Sequence, residues 1–122
     1  MHPAVPILRI FDVELAKAFY LEFLGFEIEF EHRHTDNLPL YMGIGKGQCV
    51  LHLSEHFGDA APGAHVRVQR ENLDDFCDAL SKKNFKFVNP GKPNEMPWGT
   101  KEITITDPFS NRLTFFEPVA PR

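Results

Sequence analysis

The chain has 122 residues, enough for one domain around one hydrophobic core. Hydrophobic residues make up 43% and charged residues 25%, the composition of a soluble globular protein, and the apolar runs are too short to span a bilayer. A net charge of −4 argues against a nucleic-acid partner. It favours a neutral or cationic ligand, although mild acidity also serves solubility alone.

Met1-His2-Pro3-Ala4-Val5-Pro6 lacks a basic segment followed by an apolar one, so no secretory signal is read and a cytoplasmic location is expected. Cys49 and Cys77 sit in apolar patterns and read as reduced core thiols. Twelve Phe, two Tyr and one Trp suit a packed core, and also suit a site for a flat ligand.

Val5–Phe11 is β-branched and apolar with one charge, Arg9, and predicts a strand. Asp12 is a good N-cap for a helix over Val13–Leu24, whose apolar residues recur at helical spacing. Gly25 ends it in the left-handed position, followed by the apolar Phe26. Phe26–His32 alternates Phe26, Ile28, Phe30 against Glu27, Glu29, Glu31, which predicts a strand with one acidic, solvated face. Leu38–Ile44 and Gln48–Ser54 predict two more strands around a Gly45-Lys46-Gly47 turn. Phe57–Gly63 is loop material between two halves.

The second half repeats the order. Ala64–Gln69 predicts a strand, Asn72 an N-cap, and Leu73, Phe76, Cys77 and Leu80 a helical stripe. Asn84 and Phe85 stand where Gly25 and Phe26 stand in the first half. Phe85–Val88, Glu102–Thr106 and Arg112–Phe116 predict the remaining strands, with a turn at Asp107-Pro108-Phe109-Ser110-Asn111. The expected fold is α+β: two βαβββ repeats, residues 4–57 and 63–118, in one domain of residues 1–122. Each sheet would bury one face under an outer helix, and the open faces would curl into a cup.

Ala4-Val5-Pro6-Ile7-Leu8, Asp12-Val13, Ala18-Phe19-Tyr20 and Leu24-Gly25-Phe26 resemble the opening of bleomycin-resistance proteins. Pro97-Trp98-Gly99, Lys101-Glu102, Asp107-Pro108 and Asn111-Arg112 resemble their C-terminal signature. The resemblance spans nearly the whole chain. It extends to the wider glyoxalase / bleomycin-resistance / dioxygenase (vicinal oxygen chelate) superfamily, which also holds metal-dependent glyoxalases and dioxygenases. It implies a cup-shaped mixed sheet, and a homodimer whose chains pack halves or exchange strands to form two clefts.

The superfamily's enzymes hold a divalent metal at the base of the cup. The resemblance places the first-strand ligand at Val5 and the last-strand ligand at Thr114, which are not ligands of that kind. His2 and Glu117 lie three residues away, so each would point to the opposite face of its strand. His65 and His52 stand at matching positions in the fifth and fourth strands, but two imidazoles fall short of the usual three protein ligands. They serve either as a polar lining of the cup or as the remnant of a metal site. No cofactor is expected.

Alternation places Arg9 on the cup side of the first strand, and His65, Arg67 and Gln69 on the cup side of the fifth. Glu102, Thr104 and Thr106 oppose Ile103 and Ile105; Arg112, Thr114 and Phe116 oppose Leu113 and Phe115. The resemblance makes Trp98 a wall for a flat aromatic ligand; as a residue in a loop it could equally be an anchor over the core. Tyr41, Phe57 and Phe30 are further aromatic candidates, and Glu102, with Asp36, is read as a partner for a cationic ligand. The resemblance thus implies a metal-independent binding protein that sequesters a bleomycin-like antibiotic or another planar cationic compound. The alternatives are a metal-dependent glyoxalase or dioxygenase, or a binder of a housekeeping metabolite.

Overall fold

In a computed structural model, residues 1–85 and 88–119 are described. They form two compact units. The first is Met1–Ala64 with Asp107–Asn111; the second is His65–Thr106 with the chain from Arg112 onward. The Asp107–Asn111 turn, which lies in the second half of the sequence, belongs to the first unit.

The first unit contains β1 (Ile7–Arg9), α1 (Val13–Lys17), β2 (Glu27–His32), β3 (Tyr41–Lys46) and β4 (Cys49–Ser54), with sheet order β1-β4-β3-β2. The second contains β5 (His65–Gln69), α2 (Leu73–Lys82), β6 (Asn94–Glu95), β7 (Thr100–Thr106) and β8 (Arg112–Pro118), ordered β5-β8-β7-β6. In each sheet the first strand runs parallel to the last, and the other neighbours are antiparallel. The expected βαβββ duplication is therefore present in topology as well as in sequence.

Several elements differ from the sequence reading. β1 is only three residues long, although Pro6 O accepts from His52 N (2.9 Å) and Ile10 N donates to Ser54 O (2.9 Å), extending the pairing beyond it. The predicted first helix is α-helical only to Lys17. From Ala18 to Phe23 it widens into a π-helix, and Leu24 N reaches back to Phe19 O at 3.0 Å. The wider turn buries Phe19 and Tyr20 together, then Phe23 and Leu24 together. Adjacent large side chains would diverge on a regular helix.

The alternation predicted for Phe26–His32 is broken by a bulge between Ile28 and Phe30. Ile28 pairs with Ile44 while Phe30 pairs with Gly43. Phe30 is thereby moved to the face opposite Ile28, and both are 42% exposed. Past the bulge, Glu31 lies on the helix side, where it meets Lys17 of α1 at 2.9 Å. The β3–β4 turn falls at Gly47-Gln48, with Gly47 at φ 58°, and Gly45 remains in β3.

In the second unit β6 was not expected. The strand predicted over Phe85–Val88 is not formed at Phe85 or Val88, and its middle, residues 86–87, lies outside the described residues. Asn84 and Gly25 take the left-handed C′ conformations expected of them (φ 53° and 83°). Asn72 is the N-cap of α2, but in the left-handed region (φ 53°) and without a side-chain cap bond. Glu117 of β8 supplies the cap instead, accepting from Asn72 N (2.8 Å) and Leu73 N (3.1 Å).

Outside β2, each sheet buries one alternating set of apolar residues. In the first, Leu8, Met42, Ile44, Leu51 and Leu53 are at most 1% exposed. In the second, Ile105, Leu113 and Phe115 are buried, with Phe76 of α2 edge-on to Phe115 at 5.1 Å between ring centres. Cys49 and Cys77 are free thiols, and burial raises the pKa of both, Cys77 to about 11. Neither is poised as a nucleophile.

Inside the first unit, Asp107 is enclosed by donors. Its Oδ1 accepts from Phe109 N and Asn111 N (both 2.8 Å); its Oδ2 accepts from Tyr20 Oη (2.6 Å) and Asn111 Nδ2 (2.9 Å). Asn111 Nδ2 also donates to Arg9 O at 2.9 Å. Burial, then the Asp107 carboxylate, drive the Tyr20 pKa far above its usual value. Tyr20→Phe removes one donor from this buried acceptor and is expected to cost about 1–3 kcal/mol, measured by urea unfolding. An unchanged midpoint would show that the bond contributes nothing.

Candidate functional site

The face of each sheet turned away from its helix carries the candidate residues. In the first unit, Phe30, Tyr41 and His52 form an aromatic cluster. Tyr41 Oη and His52 Nδ1 are 2.7 Å apart. Phe30 lies edge-on to His52 (5.2 Å) and stacked with Tyr41 (6.1 Å). This packing explains Gly43: a Cβ there would sit 2.3 Å from the Phe30 ring. Burial and the nearby Asp59 charge raise the Tyr41 pKa. Arg9 donates to Glu55 O, and its guanidinium lies 4.7 Å over the Phe11 ring. Phe57 stands in a turn, 97% exposed and outside the cluster. Asp36 accepts from Arg33 through its backbone oxygen.

In the second unit, Glu102 is the centre of the site. Its carboxylate is 4% exposed and binds three side chains. Arg67 forms a two-pronged pair with it (3.0 and 2.9 Å); Trp98 Nε1 donates at 2.9 Å; Thr100 Oγ1 donates at 2.6 Å. These donors, Arg67 first, hold its pKa down at about 2. The Arg67 guanidinium also lies 4.6 Å over the Phe116 ring. Trp98 keeps 65% of its surface exposed although its nitrogen is anchored. Its ring is thus tethered through the nitrogen by Glu102 and is not packed over the core.

Glu102 does not present a free charge to a cation, as the sequence reading expected. Its charge is matched by Arg67 and enclosed. Thr100, Thr104 and Thr114 were not singled out as binding residues. His65 Nε2 and Thr114 Oγ1 are 2.6 Å apart, and Thr114 Oγ1 and Thr104 Oγ1 are 2.8 Å apart. Cross-strand register brings these groups together, which a single-sequence pattern does not reveal.

The metal positions implied by resemblance do not suit a metal. Val5 has no donor atom. The Thr114 hydroxyl is a neutral group already bonded to His65 and Thr104, and His52 Nδ1 is engaged by Tyr41. Among the described residues, no three His, Cys, Asp or Glu side chains are grouped to hold an ion.

The chain matches the family of glyoxalase superfamily proteins over residues 1–121. It belongs to that superfamily. Its fold is shared with TnmS3, an antibiotic-binding protein from Streptomyces sp. CB03234, at 22% identity and TM-score 0.72, covering 96% of this chain and 97% of that one. A bleomycin-binding protein complexed with bleomycin is similar at 23% identity and TM-score 0.69, covering 96% and 98%. A lactoylglutathione lyase from Agrobacterium tumefaciens is similar at 16% identity and TM-score 0.71, covering 96% and 94%. No curated protein matches the chain in sequence. Binders and an enzyme thus share the fold, so function has to be read from the site.

Glu102→Gln removes the charge that holds Arg67 and weakens the anchor of Trp98. It is expected to increase acrylamide quenching of Trp98, the only tryptophan. The lowered pKa also sets a pH window. The arrangement is stabilised above the usual carboxylate range, and that stabilisation is lost as pH falls toward about 2. Trp98 emission should therefore hold steady from neutral pH to about pH 4 and change below it. A transition near pH 5 would contradict the enclosed, Arg67-bound carboxylate.

Proposed function

We propose that this protein is a metal-independent small-molecule binder that sequesters a planar compound, with bleomycin-type antibiotics as the first class to test. The observation that carries this reading is Trp98: its indole nitrogen is held by a buried carboxylate while its ring stays open. An aromatic surface fixed in advance loses little freedom when a flat ligand stacks on it. The Phe30–Tyr41–His52 cluster on the first unit supplies a second aromatic surface of the same kind. Binders named for antibiotics among the similar folds support the reading. No bond is changed in this mechanism; the ligand is withheld from its target.

The chain works as a two-fold homodimer in the cytoplasm, in line with the commonest symmetry of oligomers. Light scattering should return twice the mass of one chain. Among the described residues no helix is long and apolar enough to cross a membrane.

Titration with bleomycin, metal-free and copper-loaded, should quench Trp98 fluorescence saturably at one ligand per chain. Silence toward bleomycin and toward a panel of flat aromatic compounds would overturn the reading. Trp98→Ala should weaken binding of any compound that quenches by about 1–3 kcal/mol, as expected of an aromatic anchor, measured by titration calorimetry because the variant has no tryptophan. Elemental analysis of the purified protein should find less than one metal ion per chain; one tightly held Fe, Mn, Ni or Zn would refute metal independence.

A further inference from the structure

The open face of the second unit's sheet carries charge of the opposite sign to the chain as a whole. Register puts His65, Arg67 and Arg112 on this face with Glu102 and Thr114. Glu102 is its one acidic residue among the described strands. Glu95 pairs with Lys101, and Glu117 caps α2, so both belong to the helix side. Glu102 is buried and neutralised by Arg67, whose own side chain remains 49% exposed. Arg112 is exposed, and its side chain makes no hydrogen bond or ion pair within its unit among the described residues. His65, its partner in register, binds Thr114 through Nε2 and keeps Nδ1 for another group. A protein with a net charge of −4 thus turns one uncompensated positive charge outward on the face that holds its anchored tryptophan.

We infer that the ligand of this face is a flat aromatic carboxylate, its rings on Trp98 and its carboxylate on Arg112 and His65. The inference rests on the reading of Trp98 as a small-molecule surface, and for the ligand class it takes an anion in place of the cation that net charge and bleomycin represent. A carboxylate is a monoanion, matching the one arginine of this face that no described side chain pairs, and its two oxygens suit the guanidinium fork. Geometry adds a length. Glu102, which holds Trp98, pairs with Phe116, four residues along β8 from Arg112. At ~3.3 Å per residue the two ends are roughly 13 Å apart, so the carboxylate sits on a short arm rather than on the ring system.

The test uses three probes of one shape: 1-pyrenebutyrate, the neutral 1-pyrenebutanol and the cationic 1-pyrenebutylamine, each titrated while Trp98 emission is followed. The butyrate should bind roughly tenfold tighter than the alcohol, one charge-assisted contact, and tighter still than the amine. Arg112→Gln should bring the butyrate to the affinity of the alcohol without changing the alcohol. Equal quenching by all three, or strongest quenching by the amine, would overturn the carboxylate while leaving a small-molecule surface at Trp98. A butyrate preference that survives in Arg112→Gln and in the double variant with His65→Gln would overturn its placement. No quenching by any probe would overturn the inference and count against the binding reading as well.

Discussion

A carboxylate taken out of water has to be surrounded by donors, because an unpaired buried charge costs several kcal/mol. Each unit of this chain is organised around one such group. Asp107 gathers two backbone amides, a tyrosine hydroxyl and an asparagine amide. Glu102 gathers an arginine, an indole and a threonine. The first arrangement draws the loop between β7 and β8 into the first unit. The second holds an aromatic ring outward by its only polar atom. In both, every carboxylate oxygen is bonded by a donor, although Asn111 Oδ1 of the first is buried without a partner among the described residues.

Two local departures from regular backbone serve the first unit. The π-helical stretch buries Tyr20 beside Phe19, which puts the Tyr20 hydroxyl on Asp107. The bulge in β2 turns Phe30 onto the open face, where Gly43 leaves room for its ring. Each adds or displaces one residue in a repeating pattern and so changes which side chains share a side. The bulge falls at a candidate residue, Phe30.

Within the superfamily the open faces can serve chemistry or binding. Here Thr114, where the resemblance would place a metal ligand, shares hydrogen bonds with His65 and Thr104. The resulting face is polar, largely satisfied, and positive at one end.

Duplication was legible in the sequence because it depends on local signals: helical spacing, capping residues, strand alternation and the paired Gly25-Phe26 and Asn84-Phe85. Faces were legible where strands are regular, as in β5, β7 and β8, since a period of two fixes sides without knowledge of partners. Trp98, His65, Arg67 and Glu102 were singled out by resemblance and alternation, and the fold puts Trp98, Arg67 and Glu102 in one network. What the sequence could not decide was the state of each group. Glu102 as a residue type is an available anion; only cross-strand register and loop closure bring Arg67, Trp98 and Thr100 onto it and turn the face positive. The cap of α2 by Glu117, the widened helix and the bulge likewise depend on residues distant in sequence, where packing overrides local preference.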